Sequence, residues 1–333
     1  MNILFYGFRH GHILGCFKMA QENPNVQILA AIEENEPARA KAEEQLAFPI
    51  AANGYDKWLA DPAVDAVAIG GAYGDRGQAI IKALEHGKHV ISDKPLCTSL
   101  EELDKIRALS KEKGLKVGCL LDLRKISAAP TVKALLDSGR LGKVKNIGFT
   151  GQHCIDYANR PGWYFEEGKH GGTINDIAIH GIDLIPYLTG QRINKVYCAR
   201  TWNSFATRNP DFCDCATFMA ETDGGAGILA DVSYAAPSQV FSMPTYWNFQ
   251  LWCERGLIAF CCVNPDVTIY EDGKTEPEIL SGAASETNIL EDFIAEVQNN
   301  TNTFTDSVFA ASETALRLQL VAEDNKANQG VSV

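Results

Sequence analysis

Two short stretches carry residue types suited to proton and charge chemistry. The first is Asp93-Lys94-Pro95, where the apolar run His89-Val90-Ile91-Ser92 stops. Proline fixes its own φ, lacks an N–H and pushes the residue before it out of helical geometry. Lys94 is therefore expected to be held extended at the carboxyl end of a strand, the end that faces ligands in open α/β sheets. A lysine in solvent is the plainer reading. The second stretch is Gly171-Gly172-Thr173-Ile174-Asn175-Asp176-Ile177-Ala178-Ile179-His180-Gly181-Ile182-Asp183. On a helix Asp176 and His180 are four apart and share a face, with Asp183 about one turn further. A histidine poised near neutrality beside a carboxylate suits general acid–base work, and Gly171-Gly172 lets backbone approach a ligand closely. Two other readings stand beside this one. One is a capped helix with a structural histidine. The other is a metal site from Asp176, His180 and Asp183, for which spacing places no further ligand, so no metal is expected.

The totals bound the rest. A chain of 333 residues is too long for one ordinary core, so two domains are expected. With 30 basic against 42 acidic residues the net charge is −12, which argues against nucleic-acid backbone or an anionic membrane as partner. No stretch has the ~20 apolar residues a bilayer span needs; residues 232–253 lack charge but contain Pro237, Pro244 and several amides and hydroxyls. The start, Met1-Asn2-Ile3-Leu4-Phe5-Tyr6, has no basic lead and no cleavage-like site. The ten cysteines contain no C-x-x-C pair, so reduced, mostly buried thiols in a cytoplasmic chain are expected rather than zinc.

Along the chain, strands over 2–6, 26–32, 66–69, 89–92 and 116–121 alternate with helices over 13–21, 37–46, 78–86 and 100–113. The strands are continuously apolar, the pattern of a parallel sheet covered on both faces. After Arg124 the texture changes. A helix over 131–138 precedes strands that alternate in polarity, such as 212–221 and 226–234. Hairpins are signalled at Thr222-Asp223-Gly224-Gly225 and Glu254-Arg255-Gly256. One long helix, 173–188, interrupts this sheet, and helices return over 286–299 and 307–328. The expectation is a doubly wound Rossmann domain over 1–122. A second α/β domain over 123–333 would carry a large, mostly antiparallel open sheet, with its last helices free to pack back on the first domain. The alternating face of that sheet suggests a homodimer or homotetramer.

The first strand–helix turn is an altered dinucleotide fingerprint. Gly7 fills the first glycine place, Arg9 the second and His12 the third, with Gly11 one residue early. The helix N-terminus still offers N–H groups to a phosphate. Glu33, ending the second strand, stands where an acid hydrogen-bonds the adenine ribose and would repel a 2′-phosphate, favouring NAD, with NADP open because Arg39 is near.

These residues resemble the glucose–fructose oxidoreductase / inositol dehydrogenase / MocA (Gfo/Idh/MocA) family of nicotinamide-dependent oxidoreductases, from Asn2 to about Leu188 and more loosely beyond. Asp93-Lys94-Pro95 matches the family's E-K-P, Asp176 to Asp183 its G-G-G…D-x-G-x-H-x-x-D, and residues 55–67 its approach to the next strand. Four departures stand out: Arg9 for a glycine, Asp93 for Glu, Ala178 for the glycine of D-x-G-x-H, and a loop Gly71-Ala72-Tyr73-Gly74-Asp75-Arg76 for T-P-N-x-x-H.

The resemblance implies hydride transfer between NAD(P) and a secondary alcohol of a sugar, sugar acid or cyclitol, with Lys94, Asp176 and His180 catalytic. Cofactor candidates are Gly7, Arg9, His10, Gly11, His12, Glu33, Gly70, Gly71, Tyr73 and Asp93. Substrate walls are sought in Arg124, Tyr157, Arg160, Trp163 and Asn175. The altered glycines motivate a rival, a nucleotide- or sugar-binding regulatory module of the same fold. A metal-dependent hydrolase is a third reading.

Overall fold

The computed structural model describes residues 1–324, which separate into two compact units. The first comprises 1–121, 161–171 and 287–313; the second comprises 122–160, 172–286 and 314–324.

In the first unit β1 (Asn2–Tyr6), β2 (Gln27–Ile32), β3 (Ala66–Ile69), β4 (His89–Ser92) and β5 (Val117–Cys119) form one parallel sheet in the order β2-β1-β3-β4-β5. Residues 3–5, 66–69, 90 and 91 are fully buried, as continuous apolar strands covered on both faces must be. The connecting helices are α1 (His12–Glu22), α2 (Glu36–Leu46), the short α3 (Tyr55–Leu59), α4 (Tyr73–Glu85) and α5 (Leu100–Lys113). Asn35 and Ser99 cap α2 and α5 through their side chains, and Gly114 closes α5 with φ +67°. Strand order reverses between β1 and β3, and there the backbones crowd together. Gly7 has φ +82°, and a Cβ on it would lie 2.6 Å from the Gly71 nitrogen; one on Gly70 would lie 2.5 Å from the Ile13 Cβ.

Two expectations for this unit are corrected. Helix α4 begins at Tyr73, so Tyr73-Gly74-Asp75-Arg76 is its first turn rather than a loop. Glycines disfavour a helix intrinsically, but here they allow close approach. A Cβ on Gly74 would lie 2.2 Å from the Gly168 carbonyl oxygen, and one on Gly77 2.3 Å from the Glu102 carboxyl carbon. The fifth strand is shorter than 116–121.

The second unit holds α6 (Ala128–Asp137), β6 (Val144–Gln152), α7 (Ile179–Thr189), β7 (Ile193–Trp202), β8 (Cys215–Thr222), β9 (Gly227–Ser233), β10 (Asn248–Cys253), β11 (Gly256–Cys261), β12 (Val267–Glu271) and β13 (Glu278–Leu280). These strands make one eight-stranded sheet, β13-β12-β11-β10-β6-β9-β8-β7, antiparallel except for the β6–β9 pair. Both signalled hairpins are present, β8–β9 and β10–β11. One face buries Phe149, Phe218, Phe249 and Phe260, with Phe149–Phe249 and Phe249–Phe260 stacked at 5.5 and 5.1 Å. The helix expected over 173–188 opens with a π turn, Ile174–Ala178, before α7.

Helix α8 (Ile289–Asn299) lies in the first unit, and α9 (Thr303–Asp324) runs from it into the second. The start of α9 is four residues earlier than expected, and 325–328 of the expected helix lie outside the described residues. The early start follows from Glu296, whose buried carboxylate accepts from the N–H groups of Phe304 (2.6 Å) and Thr305 (2.9 Å).

The φ of Gly7 and its distance to Gly71 set an expected outcome. Gly7→Ala should destabilise the first unit by about 2 kcal/mol or more, read as a lower denaturation midpoint with an unchanged slope.

Candidate active site

In the first unit the carboxyl end of β4 is organised by a fully buried arginine that sequence reading passed over. Arg76 donates through Nε to the Gly71 carbonyl (2.8 Å) and through Nη1 to the carbonyls of Lys94 and Pro95, while Nη2 lies 3.5 Å from Asp93 Oδ2. Its guanidinium sits 4.6 Å from the centroid of Tyr73. Asp93 turns its other oxygen to the Lys94 N–H (2.7 Å). The Lys94–Pro95 bond is cis, Lys94 is 2% exposed, and its ammonium lies 5.8 Å from the Tyr73 ring centroid. A signal for Arg76 existed: Tyr73, Ile80, Ile81 and Leu84 make an apolar stripe on α4, and Arg76 is a charge within it.

The altered fingerprint meets the same carboxylate. His10 Nδ1 is 2.8 Å from Asp93 Oδ2 and His12 Nδ1 3.3 Å from Oδ1, with the two imidazoles 4.8 Å apart. Burial works against charge on Asp93, and His10, Arg76 and His12 overcome it, holding the carboxyl well below the usual range. Burial also pushes His10 down to about 4, against the pull of Asp93. Tyr73 and Tyr164 share a 2.5 Å hydrogen bond, and Trp163 stands 4.8 Å from Tyr73 and 4.3 Å from Tyr164. Trp163, a substrate candidate, thus belongs to the first unit. His170 completes the cluster, 5.2 Å from Tyr164. Neither Tyr164 nor His170 carried a sequence signal.

The residues of this turn fit a dinucleotide. Gly11 caps α1 without a side-chain hydrogen bond, leaving first-turn N–H groups for an anion. A Cβ on Gly11 or Gly71 would meet nothing within 4 Å, so a ligand can reach the backbone there. Arg9, half-buried, donates its N–H to the Gly70 carbonyl (2.9 Å). Glu33 is buried at the end of β2, accepting from the N–H groups of Phe8 (2.5 Å) and Asn35 (2.7 Å).

The second unit assembles the other candidates. Asp176, 1% exposed, accepts a hydrogen bond from the Tyr234 hydroxyl. His180 Nδ1 lies 3.6 Å from Asp122 Oδ1, with its ring 5.3 Å from Trp247. The π turn accounts for the aim of Asp176. Gln319 accepts from the Ile174 N–H (3.0 Å), and the Thr173 hydroxyl donates to the Cys213 carbonyl. The helix start is pinned there, and the wider turn rotates the residues after it relative to an α-helix. Gly172 has φ +93°, and a Cβ on it would be 2.1 Å from the Gln319 amide carbon.

Arg124 is held by Asp183, Nε to Oδ2 at 2.6 Å with Nη2 on the other oxygen. Burial raises the Asp183 carboxyl pKa, and Arg124 offsets that only in part. Arg160 donates to the carbonyls of Ile155 (3.0 Å) and Cys154 and lies 5.1 Å from the Tyr234 ring; Tyr157 stacks with Arg208 at 4.8 Å; Asn175 is buried. Among the described residues the candidate cluster of histidines and carboxylates for a metal is not at Asp176, His180 and Asp183 but at His10, His12 and Asp93.

Comparison with known proteins decides the family. Residues 9–120 match the model described as "Oxidoreductase family, NAD-binding Rossmann fold", and residues 130–259 match the "GFO/IDH/MocA C-terminal domain". The chain belongs to the Gfo/Idh/MocA family. Over 212 residues, 61% of this chain and 59% of the relative, it is 31% identical to scyllo-inositol 2-dehydrogenase (NAD(+)) of Bacillus subtilis (strain 168). It is 27% identical over 164 residues to levoglucosan dehydrogenase of Pseudarthrobacter phenanthrenivorans, covering 48% of this chain and 42% of that one. The chain thus spans about half the length of the curated relatives it matches. A crystal structure of a presumed oxidoreductase from Erwinia carotovora atroseptica SCRI1043 superimposes with a TM-score of 0.87 at 22% identity, covering 97% of this chain and 98% of that one, which fixes the fold. No helix among the described residues is long and apolar enough to cross a membrane.

Removing one member of a buried ion pair strands the other. Arg76→Ala should therefore cost about 3–5 kcal/mol in chemical denaturation, and Asp93→Asn should cost less when combined with it than alone.

Proposed function

We propose that the protein is an NAD-dependent dehydrogenase acting on a secondary alcohol of a cyclitol, sugar or sugar acid. The observation that carries this reading is the buried Lys94, locked by Arg76 and Asp93 beside a glycine turn open to a dinucleotide, in a chain of a family whose N-terminal domain is NAD-binding. Relatives named for scyllo-inositol and levoglucosan support the substrate class. Glu33 supports NAD over NADP, because its buried carboxylate can accept a ribose hydroxyl and repels a 2′-phosphate. The rival regulatory reading has less support, since a sensor has no need of Lys94, Asp176 and His180 together.

When bound, NAD⁺ supplies a carbon that accepts the hydride from the alcohol's C–H. His180 takes the hydroxyl proton as general base, with the Asp122 carboxylate 3.6 Å from its Nδ1. Asp176, fixed by Tyr234, orients the substrate hydroxyl. The ammonium of Lys94 stabilises the oxyanion as the proton leaves, a task for fixed charge out of water. Arg124, Tyr157, Arg160 and Asn175 of the second unit, and Trp163 of the first, are the proposed substrate contacts, residue types suited to a polar ring.

We further propose a homo-oligomer through the open face of the eight-stranded sheet. Met219, Leu229, Trp252, Tyr270 and Ile279 lie on that face, each 41–63% exposed, around a groove of about 500 Å³ lined by Gly148, Cys198, Met219, Leu229 and Gln250. An apolar patch of this kind marks an interaction surface. The ten cysteines are all free thiols, which supports a reducing, cytoplasmic setting.

Lys94→Ala should lower turnover by about two to three orders of magnitude while leaving NAD⁺ affinity within a few-fold, measured by reduced-nicotinamide absorbance and by titration. Undiminished turnover would overturn the catalytic role. Leu229→Glu should yield monomers in light scattering; a wild-type monomer would refute the sheet interface.

A further inference from the structure

The turn between β1 and α1 reads Arg9-His10-Gly11-His12, and it faces a buried carboxylate from β4. We propose that His10, His12 and Asp93 form a binding site for a divalent ion of the zinc class. Each residue offers one ligand atom, an imidazole nitrogen or a carboxylate oxygen, and the three lie within 4.8 Å of one another. Ligands about 2.0–2.1 Å from one ion lie roughly 3 to 3.4 Å apart at octahedral to tetrahedral angles. The separations of His10 Nδ1 from Asp93 Oδ2, 2.8 Å, and of His12 Nδ1 from Oδ1, 3.3 Å, lie near that range, so the carboxylate would offer one oxygen to each side of the ion. Two imidazoles and one carboxylate make a borderline donor set that selects Zn²⁺, Co²⁺ or Ni²⁺ over Mg²⁺ or Ca²⁺.

The burial pattern gives such an ion a floor and an entry path. Asp93 is fully buried, the His10 side chain is 14% exposed and the His12 side chain 34% exposed, so His12 can swing to close on an ion arriving from water. The remaining coordination positions would be water. Arg76, 3.5 Å from Asp93 Oδ2, shares the carboxylate and opposes a second cation. The expected affinity is therefore below that of a structural zinc site, and the bound state is reversible.

The test uses the full chain without cofactor or substrate, so its outcome is separate from that of the dehydrogenase reading. Titration with Co²⁺ should give a saturable visible d–d absorption at one equivalent, displaced by Zn²⁺ and unaffected by excess Mg²⁺. His12→Ala, a change at a part-exposed helix start, should weaken Co²⁺ binding at least about tenfold with an unaltered circular-dichroism spectrum. His10→Ala should do the same, and His86→Ala, an exposed histidine on another helix end, should leave the titration unchanged. Absence of a saturable band, or a band as strong in His12→Ala as in the parent, would overturn the site and leave the cluster as an ion pair with hydrogen-bonded histidines.

Discussion

A guanidinium and a carboxylate, Arg76 and Asp93, face each other without access to water, and the first unit is arranged around that pair. Isolated burial of either charge would cost several kcal/mol. Together, with three backbone carbonyls on the arginine and a backbone N–H and two imidazoles on the aspartate, the penalty is offset. The same bonds fix what matters for chemistry. Arg76 holds the carbonyls of Lys94 and Pro95, Asp93 holds the Lys94 N–H, and the lysine backbone has no freedom left. His10 and His12 reach Asp93 from the altered fingerprint.

The second unit solves a different positioning problem. Asp176 and His180 lie where a helix opens with a π turn, its start tied down by Gln319 on the Ile174 N–H and by the Thr173 hydroxyl on the Cys213 carbonyl. Tyr234 holds the aspartate of that turn. Irregular turns of this kind cluster at functional sites because they aim a side chain that regular geometry would point elsewhere. Arg124 is committed to Asp183, so its contribution to a ligand is as a rigid, partly neutralised edge rather than a free cation.

Much of this is legible in the sequence. The parallel sheet announced itself through continuous apolar strands, the open sheet through alternation and two glycine hairpins, and both follow from where each strand face meets solvent. Lys94 stood out because proline constrains its neighbour, and Asp176 and His180 because a four-residue spacing aligns side chains on a helix. Less legible were partners supplied by distant segments. Tyr234, just past the end of β9, has no distinguishing pattern, and the helix signal over Tyr73 to Arg76 is weakened by its glycines.

By itself the sequence determined the strand–helix alternation, the two sheet types, the family and the identities of the residues suited to chemistry, because these depend on local pattern and on constraints between neighbours. Only the tertiary structure decided that α4 starts at Tyr73 with Arg76 buried beneath it, that His10 and His12 meet Asp93, and that a π turn carries Asp176. Each of those outcomes rests on a contact between segments far apart in the chain. Close approach of Gly74 to Gly168 and of Gly172 to Gln319 is a matter of packing, which no local propensity encodes.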